Sequence, residues 1–291
     1  MTRKITDIFK EKPRTYSFEF FPPNTEQGKL KLFKAAAALK ELNPDFFSVT
    51  YGTGGGAKDK TTEIADELQR RFNIPVMHHL SCIGHSRAEL KSIIGRLKEK
   101  DICNILALYG DPPKRIEGWK RPADAYEYCY QLCQALSSAG GFFSIAVAGF
   151  PEGHVDSPDK ETDSRHLKVK LDAGGQFVIT QLFFDNRDYF EYLGRVKKIG
   201  ARQRIIPGIF AITNYQKLIE FADSCGAIVP GEIHDIFKPL ADDREATYRA
   251  GVEFALRQCR ALLDGGAPGL HFFTLNKVDP AREILNKLRT G

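Results

Sequence analysis

Short apolar runs rich in β-forming residues alternate with longer segments of helical periodicity along the whole chain. This alternation is typical of repeated βα units. Eight runs are predicted as strands, the number that closes a parallel barrel. The runs are Thr15–Phe21, Phe46–Tyr51, Val76–Leu80, Asn104–Leu108, Ser144–Ala148, Phe177–Phe183, Ile205–Ile209 and Leu270–Leu275. The sequence therefore predicts an α/β fold, a (β/α)8 TIM barrel forming a single domain over residues 1–291.

Helices are predicted between the strands, and in the first of them apolar residues from Leu32 to Leu42 recur every three or four positions. The predicted helices cover residues 27–42, 60–72, 86–100, 123–138, 160–172, 187–199, 214–223, 244–263 and 280–289. No Pro/Gly-rich linker divides the chain. The long irregular stretches are Gly110–Pro122, Phe150–Asp159 and Ile228–Asp243, where barrel loops carry function.

Composition and charge limit the partners and the cellular location that we expect for the protein. The 42 basic and 37 acidic residues are scattered, so we expect no nucleic-acid partner, and no segment has the apolar length of a membrane span. The N-terminal segment has no apolar targeting core, and we expect a cytoplasmic protein with reduced thiols.

The six cysteines lack the spacing of a metal site, so Cys129 and Cys133 are interpreted as core packing. Tyr126, Tyr128 and Tyr130 are likewise interpreted as helix packing.

Polar residues stand at nearly every predicted strand end, where the active sites of parallel barrels lie. They are Glu19, Thr50, His79, Asp111, the loop 150–154, Gln181, and Asn276 or Lys277. Glu19 lies between aromatic residues and is followed by Pro22 and Pro23. An apolar setting would let its carboxyl group stay protonated near neutrality and act as a general acid. The alternative is a strand glutamate that points to solvent between helices.

Two further motifs leave alternatives open. Gly52, Gly54 and Ala57 match a dinucleotide fingerprint, but the next strand ends in histidine where that fingerprint needs an acid, so we expect only a flexible glycine loop over a ligand. His78 and His79 are neighbours on one strand, so only one of them should face the barrel interior.

Several of these strand-end motifs together resemble the methylenetetrahydrofolate reductases, flavoproteins that reduce 5,10-methylenetetrahydrofolate to 5-methyltetrahydrofolate. The matching segments follow the order of the family and span nearly the whole chain. They are Phe18–Pro23, Ser48–Gly52, His79–Ile83, Ala107–Pro112, Pro151–His154, Lys170–Gly174, Ile179–Asp185, Ile206–Ile209 and Phe273–Asn276.

The resemblance implies FAD at the strand ends, reduced by NADH or NADPH and reoxidised by the folate in a ping-pong cycle. Glu19 and Asp111 would be the catalytic residues, and Gln181 and Lys277 would join them in binding the folate. The positions that resemble cofactor contacts are Thr50, His79, Leu108, Tyr109, Gly110, Asp111, Phe150, His154, Asp163, His166 and Lys170. No metal is expected.

The chain also differs from the family pattern. Tyr109 and Lys277 stand where arginine is usual, and Val169 replaces a common basic residue, which removes cationic partners for FAD. The chain resembles the short microbial members, without the regulatory extension of eukaryotic ones. We expect a homo-oligomer. The alternative function is that of a flavoprotein subunit in a larger complex, which would take its electrons from a partner protein.

Overall fold

The protein forms a closed barrel of eight parallel strands, in which each strand pairs with the next in sequence and β8 closes onto β1. The computed structural model describes residues 2–52, 57–112 and 119–290, with residues 57–59 described by their backbone alone. The strands are β1 (Thr15–Phe20), β2 (Phe46–Val49), β3 (Val76–Ser81), β4 (Asn104–Leu108), β5 (Ser144–Gly149), β6 (Phe177–Leu182), β7 (Arg204–Ile209) and β8 (Gly269–Phe273). The predicted (β/α)8 barrel is therefore confirmed.

Helices cover the outside of the barrel. They are α1 (Ile5–Glu11), α2 (Glu26–Lys40), α3 (Ala57–Phe72), α4 (Arg87–Glu99), α5 (Cys129–Ser137), α6 (Lys160–Asp172), α7 (Asn186–Lys198), α8 (Tyr215–Cys225), α9 (Gly231–Phe237), α10 (Arg244–Asp264) and α11 (Ala281–Thr290). In the described segments no helix combines the length and the apolar character needed to cross a bilayer.

Three helix predictions need correction. The segment 228–243 was predicted to be irregular but contains α9, and α1 was not predicted at all. The predicted helix 123–138 begins only at Cys129, so Tyr126 and Tyr128 precede it, and Tyr128 is 60% exposed. The packing role expected of Tyr128 is therefore wrong.

Alternation along the strands separates two cores. Phe47 and its outward-facing counterparts pack against the helices, whereas Phe46 belongs to a smaller cluster inside the barrel with Met77 and Phe177. This division follows from the period of two in a strand, which sends successive side chains to opposite faces. The inner cluster fills the lower barrel, and among the described residues a large cavity opens toward the carboxyl ends of the strands.

Helix α1 closes the amino-terminal end of the barrel. Its Ile5 is fully buried in the inner cluster, and the backbone N–H of Ile5 donates to Oδ1 of Asn104 at 2.7 Å. Phe9 meets Phe177 edge to face at 5.0 Å between ring centroids, and Nη2 of Arg204 donates to the Phe9 carbonyl oxygen at 2.6 Å. This helix therefore covers the amino-terminal end of the barrel, opposite the end at which the strands' carboxyl termini lie.

Candidate active site

A cavity of about 1110 Å³ opens at the carboxyl ends of the strands. Most of the site residues proposed from the sequence line it, although they come from six different strands, their loops and α6. They are Glu19, Thr50, His79, Leu108, Tyr109, Gly110, Asp111, Phe150, His154, Lys170 and Gln181. The barrel thus brings together side chains that lie up to 162 residues apart, from Glu19 to Gln181.

Three of the proposed residues do not line this cavity. Asp163 is buried beside it, where His154 donates a backbone hydrogen bond to its carboxylate. His166 on α6 and Lys277 after β8 are both exposed. The Gly52–Ala57 motif crosses residues 53–56, so its central part, including Gly54, lies outside the described residues.

Glu19 lies on the interior face of β1. Phe18 and Phe20 face the helices, so the aromatic neighbours of Glu19 on its own strand do not enclose its carboxylate. Its Oε2 lies 3.3 Å from Nε2 of His271 and 3.4 Å from Nε2 of His79. The carboxylate therefore sits at the cavity floor between two groups that can hold or exchange a proton.

His79 is an uncharged imidazole at neutral pH. Burial lowers the pKa of His79 to about 4, with the Glu19 carboxylate opposing that shift and His271 adding to it. Its buried Nε2 faces the Glu19 carboxylate at 3.4 Å without hydrogen-bond geometry, and it has no hydrogen-bond partner within the described part of the chain. Such an atom in a cavity wall is a candidate ligand contact, because an unpaired buried polar atom is costly.

His78 faces the other way, so the expectation that only one of the two histidines faces the interior is confirmed. Its Nε2 is hydrogen-bonded to Oγ1 of Thr62 on α3 at 3.1 Å, outside the barrel. Burial, with a smaller contribution from His79, lowers the pKa of His78 to about 3. His78 therefore contributes to packing and not to the site.

His271 was missed by the sequence analysis. It is fully buried in the middle of β8, with Nδ1 hydrogen-bonded to Oγ of Ser17 at 2.7 Å and Nε2 3.4 Å from Oγ of Ser48. A search restricted to strand ends could not find it. Strand alternation offered the only signal, because Leu270 and Phe272 face the helices and place His271 inside.

Asp111 is held over the cavity by a tight turn at the end of β4. Gly110 has φ +89°, and a Cβ there would lie 1.9 Å from Oγ of Ser81. That hydroxyl donates to the carbonyl oxygen of Tyr109 at 2.8 Å, as does the backbone N–H of Ile83 at 2.9 Å. Only glycine fits this approach, so the turn that carries Asp111 depends on it.

Gln181 owes its position to an irregularity in the sheet. The register between β6 and β7 shifts between Ile179 and Leu182, which is typical of a β-bulge. Oε1 of Gln181 accepts a hydrogen bond from the backbone N–H of Leu182 at 2.9 Å. Its amide nitrogen remains as the group able to donate to a ligand.

The wall formed by β5 and α6 is basic. Nζ of Lys170 donates to the carbonyl oxygen of Ala148 at 2.7 Å and lies 5.7 Å from the centre of the Phe150 ring. Phe150 meets His154 edge to face at 4.6 Å. Burial raises the pKa of the neighbouring Asp163, although Lys170 and His154 oppose that shift. A cation, an aromatic face and an imidazole thus lie side by side.

The interpretation of Cys129 and Cys133 as core packing is confirmed. Cys133 is fully buried, and the half-buried Cys129 packs against the main core while it also lines the cavity.

Comparison with known proteins identifies the family of the chain. A family model described as methylenetetrahydrofolate reductase matches residues 4–289. The chain is 33% identical to "Methylenetetrahydrofolate reductase (NADH) 1" of Arabidopsis thaliana, over 98% of this chain and 50% of the relative. It is 35% identical to the "5,10-methylenetetrahydrofolate reductase" of Pectobacterium carotovorum, over 94% of this chain and 89% of that protein. It thus spans about half the length of the matched plant relatives and most of the bacterial one.

A solved structure shares the fold. A Clostridium thermocellum protein described as binding two copies of 5-methyl-5,6,7,8-tetrahydrofolic acid superposes with a TM-score of 0.68 at 13% identity, covering 98% of both chains. At that identity the similarity concerns the barrel alone. The family match covers nearly the whole chain and includes every strand whose end contributes to the cavity. The chain belongs to the methylenetetrahydrofolate reductase family.

Proposed function

We propose that this chain reduces 5,10-methylenetetrahydrofolate to 5-methyltetrahydrofolate with FAD as the bound carrier and NADH or NADPH as the electron donor. The observation that carries the proposal is the Glu19 carboxylate at the cavity floor, 3.3 Å and 3.4 Å from two imidazole nitrogens. Proton donation to a ring nitrogen of the substrate requires an acid inside the cavity, and Glu19 is placed for it.

The cavity residues fit a flavin dinucleotide. A volume of about 1110 Å³ exceeds the range of about 300–1,000 Å³ that is usual for small-ligand pockets. Lys170 offers a cation to a pyrophosphate, and the unpaired Nε2 of His79 offers a polar contact at the other end. Gly110 allows the backbone of its turn to approach a ligand without a side chain in the way.

When bound, FAD supplies the hydride that the folate receives and accepts one from the nicotinamide. The protein must open the imidazolidine ring of the folate, because the hydride acceptor is the iminium carbon released by that opening. Glu19 would donate a proton to the ring nitrogen, so that the carbon–nitrogen bond breaks and leaves the iminium carbon open to the hydride that bound FAD would supply.

Two neighbours hold Glu19 for that role. His271 fixes the carboxylate from below, since its other nitrogen is bound to Ser17 and its ring cannot turn freely. Burial lowers the pKa of His79 to about 4, so it faces Glu19 as an uncharged imidazole at physiological pH. Asp111 and Gln181 then bind the pterin edge, one as an acceptor and the other as a donor.

Lys170 and His154 bind the pyrophosphate in this proposal, and Phe150 packs against the adjoining chain. Tyr109 contributes an aromatic face where the family has arginine, so the cavity relies on Lys170 for cationic contact on that wall. Asp163 supports Lys170 and His154 from behind, since both lower the pKa of its buried carboxyl group. His166 and Lys277 would contact a ligand only at the cavity rim. A homo-oligomer remains a prediction.

The test is an anaerobic absorbance titration of the flavin, first with NADH or NADPH and then with methylenetetrahydrofolate. The wild-type flavin should bleach with the nicotinamide and recover with the folate. In Glu19→Gln, recovery should slow by about 10²–10⁴-fold while bleaching is unchanged, because only the folate step needs the acid.

Glu26→Gln is the matched control, since it removes a carboxylate from the exposed first turn of α2. Recovery at the wild-type rate in Glu19→Gln would refute the acid assignment, and a chain that binds no added FAD would refute the cofactor. A flavin that the folate reoxidises but neither nicotinamide reduces would instead support the alternative function, a flavoprotein subunit with a protein electron donor.

A further inference from the structure

The turn that follows β8 is bonded to the end of β1, the strand that carries Glu19. The two strands pair in parallel up to Glu19 and Phe273, where β8 ends. Beyond that pair, further hydrogen bonds still join the two segments, and they come from Thr274 and Asn276. The reductase proposal uses neither residue, although Asn276 stands at a strand end.

Thr274 bonds to the backbone of Glu19 itself. Its Oγ1 donates to the Glu19 carbonyl oxygen at 2.5 Å, and its backbone N–H donates to the same oxygen at 3.4 Å. Thr274 is only 5% exposed, so water competes little for these bonds. The backbone of Glu19 is thus held by a buried donor, while its carboxylate lies at the cavity floor.

Asn276 takes the place of a missing strand partner at Phe21. Its Oδ1 accepts from the backbone N–H of Phe21 at 3.0 Å, and its Nδ2 donates to the Phe21 carbonyl oxygen at 2.9 Å. A side-chain amide offers the same donor and acceptor as a peptide group, so Asn276 extends the bonding pattern of the sheet past Glu19. Pro22 and Pro23 follow and have no backbone N–H with which to continue it.

The backbone of this turn is strained. Leu275 has φ +50° and Asn276 has φ +58°, so two consecutive non-glycine residues are left-handed. Asparagine tolerates this region, but leucine adopts it rarely. Leu275 is 40% exposed, so burial of its side chain does little to offset the strain. What the conformation secures is the return of the Asn276 amide to Phe21, and strained residues of this kind cluster at functional sites.

We propose that Thr274 and Asn276 are positioning residues for the acid, which fix the end of β1 so that the Glu19 carboxylate is presented to the substrate. The inference rests on the proposed function. The two imidazole nitrogens lie 3.3 Å and 3.4 Å from the carboxylate, farther than the about 2.7–2.9 Å of a strong charge-assisted hydrogen bond. The backbone must therefore supply much of the orientation. A misplacement of about 1 Å can slow a reaction about a hundredfold.

The test measures the two half-reactions of the flavin separately by anaerobic stopped-flow absorbance. Thr274→Val removes the hydroxyl but keeps the shape of the side chain, and Thr274→Ser retains the hydroxyl. In Thr274→Val, reoxidation by saturating methylenetetrahydrofolate should slow by about tenfold to a hundredfold. Bleaching by the nicotinamide and the half-saturating folate concentration should stay unchanged, because the turn positions the acid and not the substrate. Thr274→Ser should keep most of the wild-type rate.

Thr290→Val is the matched control, since the Thr290 hydroxyl also donates to a backbone carbonyl oxygen, that of Asn286, but at the exposed end of α11. Asn276→Asp tests the second residue. Aspartate tolerates the left-handed region and can accept from the Phe21 N–H, but it loses the donor to the Phe21 carbonyl oxygen. It should slow reoxidation by about tenfold, whereas Asn286→Asp should not.

Hydrogen exchange followed by mass spectrometry tests the bonds without the reaction. Deuterium uptake by residues 15–23 should be faster in Thr274→Val and Asn276→Asp than in the wild type. Unchanged uptake, or equal slowing of both half-reactions, would overturn the inference, because the turn would then not hold β1 or would only stabilise the fold. Fast reoxidation in both variants beside a slow Glu19→Gln would overturn it and leave the proposed function intact. A wild-type flavin that the folate does not reoxidise would refute the proposed function and this inference with it.

Discussion

The two adjacent histidines of β3 should make the stability of the fold sensitive to acid. Burial lowers the pKa of His78 to about 3 and that of His79 to about 4, from an ordinary value of 6.5. Both side chains are therefore neutral in the folded protein and become protonated more readily in the unfolded chain. Stability is fully present above the unfolded pKa and is lost as the pH falls through that value toward the folded one.

The size of the effect follows from these values. Near pH 5 each histidine is protonated in the unfolded chain but not in the folded protein. The interval from the ordinary pKa down to pH 5 is about 1.5 pH units, and each pH unit corresponds to about 1.4 kcal/mol of stability per histidine. Each residue should thus cost about 2 kcal/mol near pH 5 relative to neutral pH. The pair should lower the free energy of unfolding by about 4 kcal/mol, a large part of the stability of a typical domain.

His78→Gln isolates one half of this effect without touching the cavity. A glutamine cannot take up a proton, and its amide can still pair with Oγ1 of Thr62, which lies 3.1 Å from His78. Between neutral pH and pH 5 the variant should lose about 2 kcal/mol less stability than the wild type. Any loss of stability that the substitution causes at neutral pH is subtracted, because the comparison uses only the change between the two pH values in each chain.

The assay is urea unfolding followed by circular dichroism at several pH values for both chains. His166→Gln is the control, because it makes the same substitution at an exposed histidine outside the barrel wall. Parallel curves of unfolding free energy against pH for the wild type and His78→Gln would refute the reasoning.

Two further substitutions test the turn and the basic wall. Gly110→Ala should lower the free energy of unfolding in urea by about 1 kcal/mol more than Gly140→Ala. Both glycines have positive φ, but only a side chain at position 110 displaces the bonded hydroxyl of Ser81. Equal losses in the two variants would argue against the close approach. Lys170→Ala should weaken FAD binding by about tenfold or more in a fluorescence titration. Lys168→Ala is the control, because Lys168 lies on the same helix and pairs with Asp172 instead. Equal FAD affinities of the two variants would exclude Lys170 as a phosphate ligand.

The strands could be predicted closely because their signal is local. Each β-rich run occurs between polar turns, and the predicted ends of β1 and β2 differ from the structure by only one or two residues. The short helices α1 and α9 have seven residues each and too few apolar positions to show a period. Helices of that length owe their stability to tertiary contacts, which no local pattern contains.

The site could be predicted only where its residues stand at strand ends. Glu19 and Asp111 satisfied that rule, but His271 lies in mid-strand, and its partners on β1 and β2 are 254 and 223 residues away. The missing information was the register of one strand on another, which no local pattern contains.

The closure of the barrel floor by α1 has a consequence for folding during synthesis. The helix leaves the ribosome before the strands that hold it, because the atoms it contacts lie on Asn104, Phe177 and Arg204. Until those strands have emerged, Ile5 and Phe9 have no burial site. We expect the amino-terminal segment to remain accessible to chaperones and proteases through most of translation, and to become protected only when β7 joins the growing sheet.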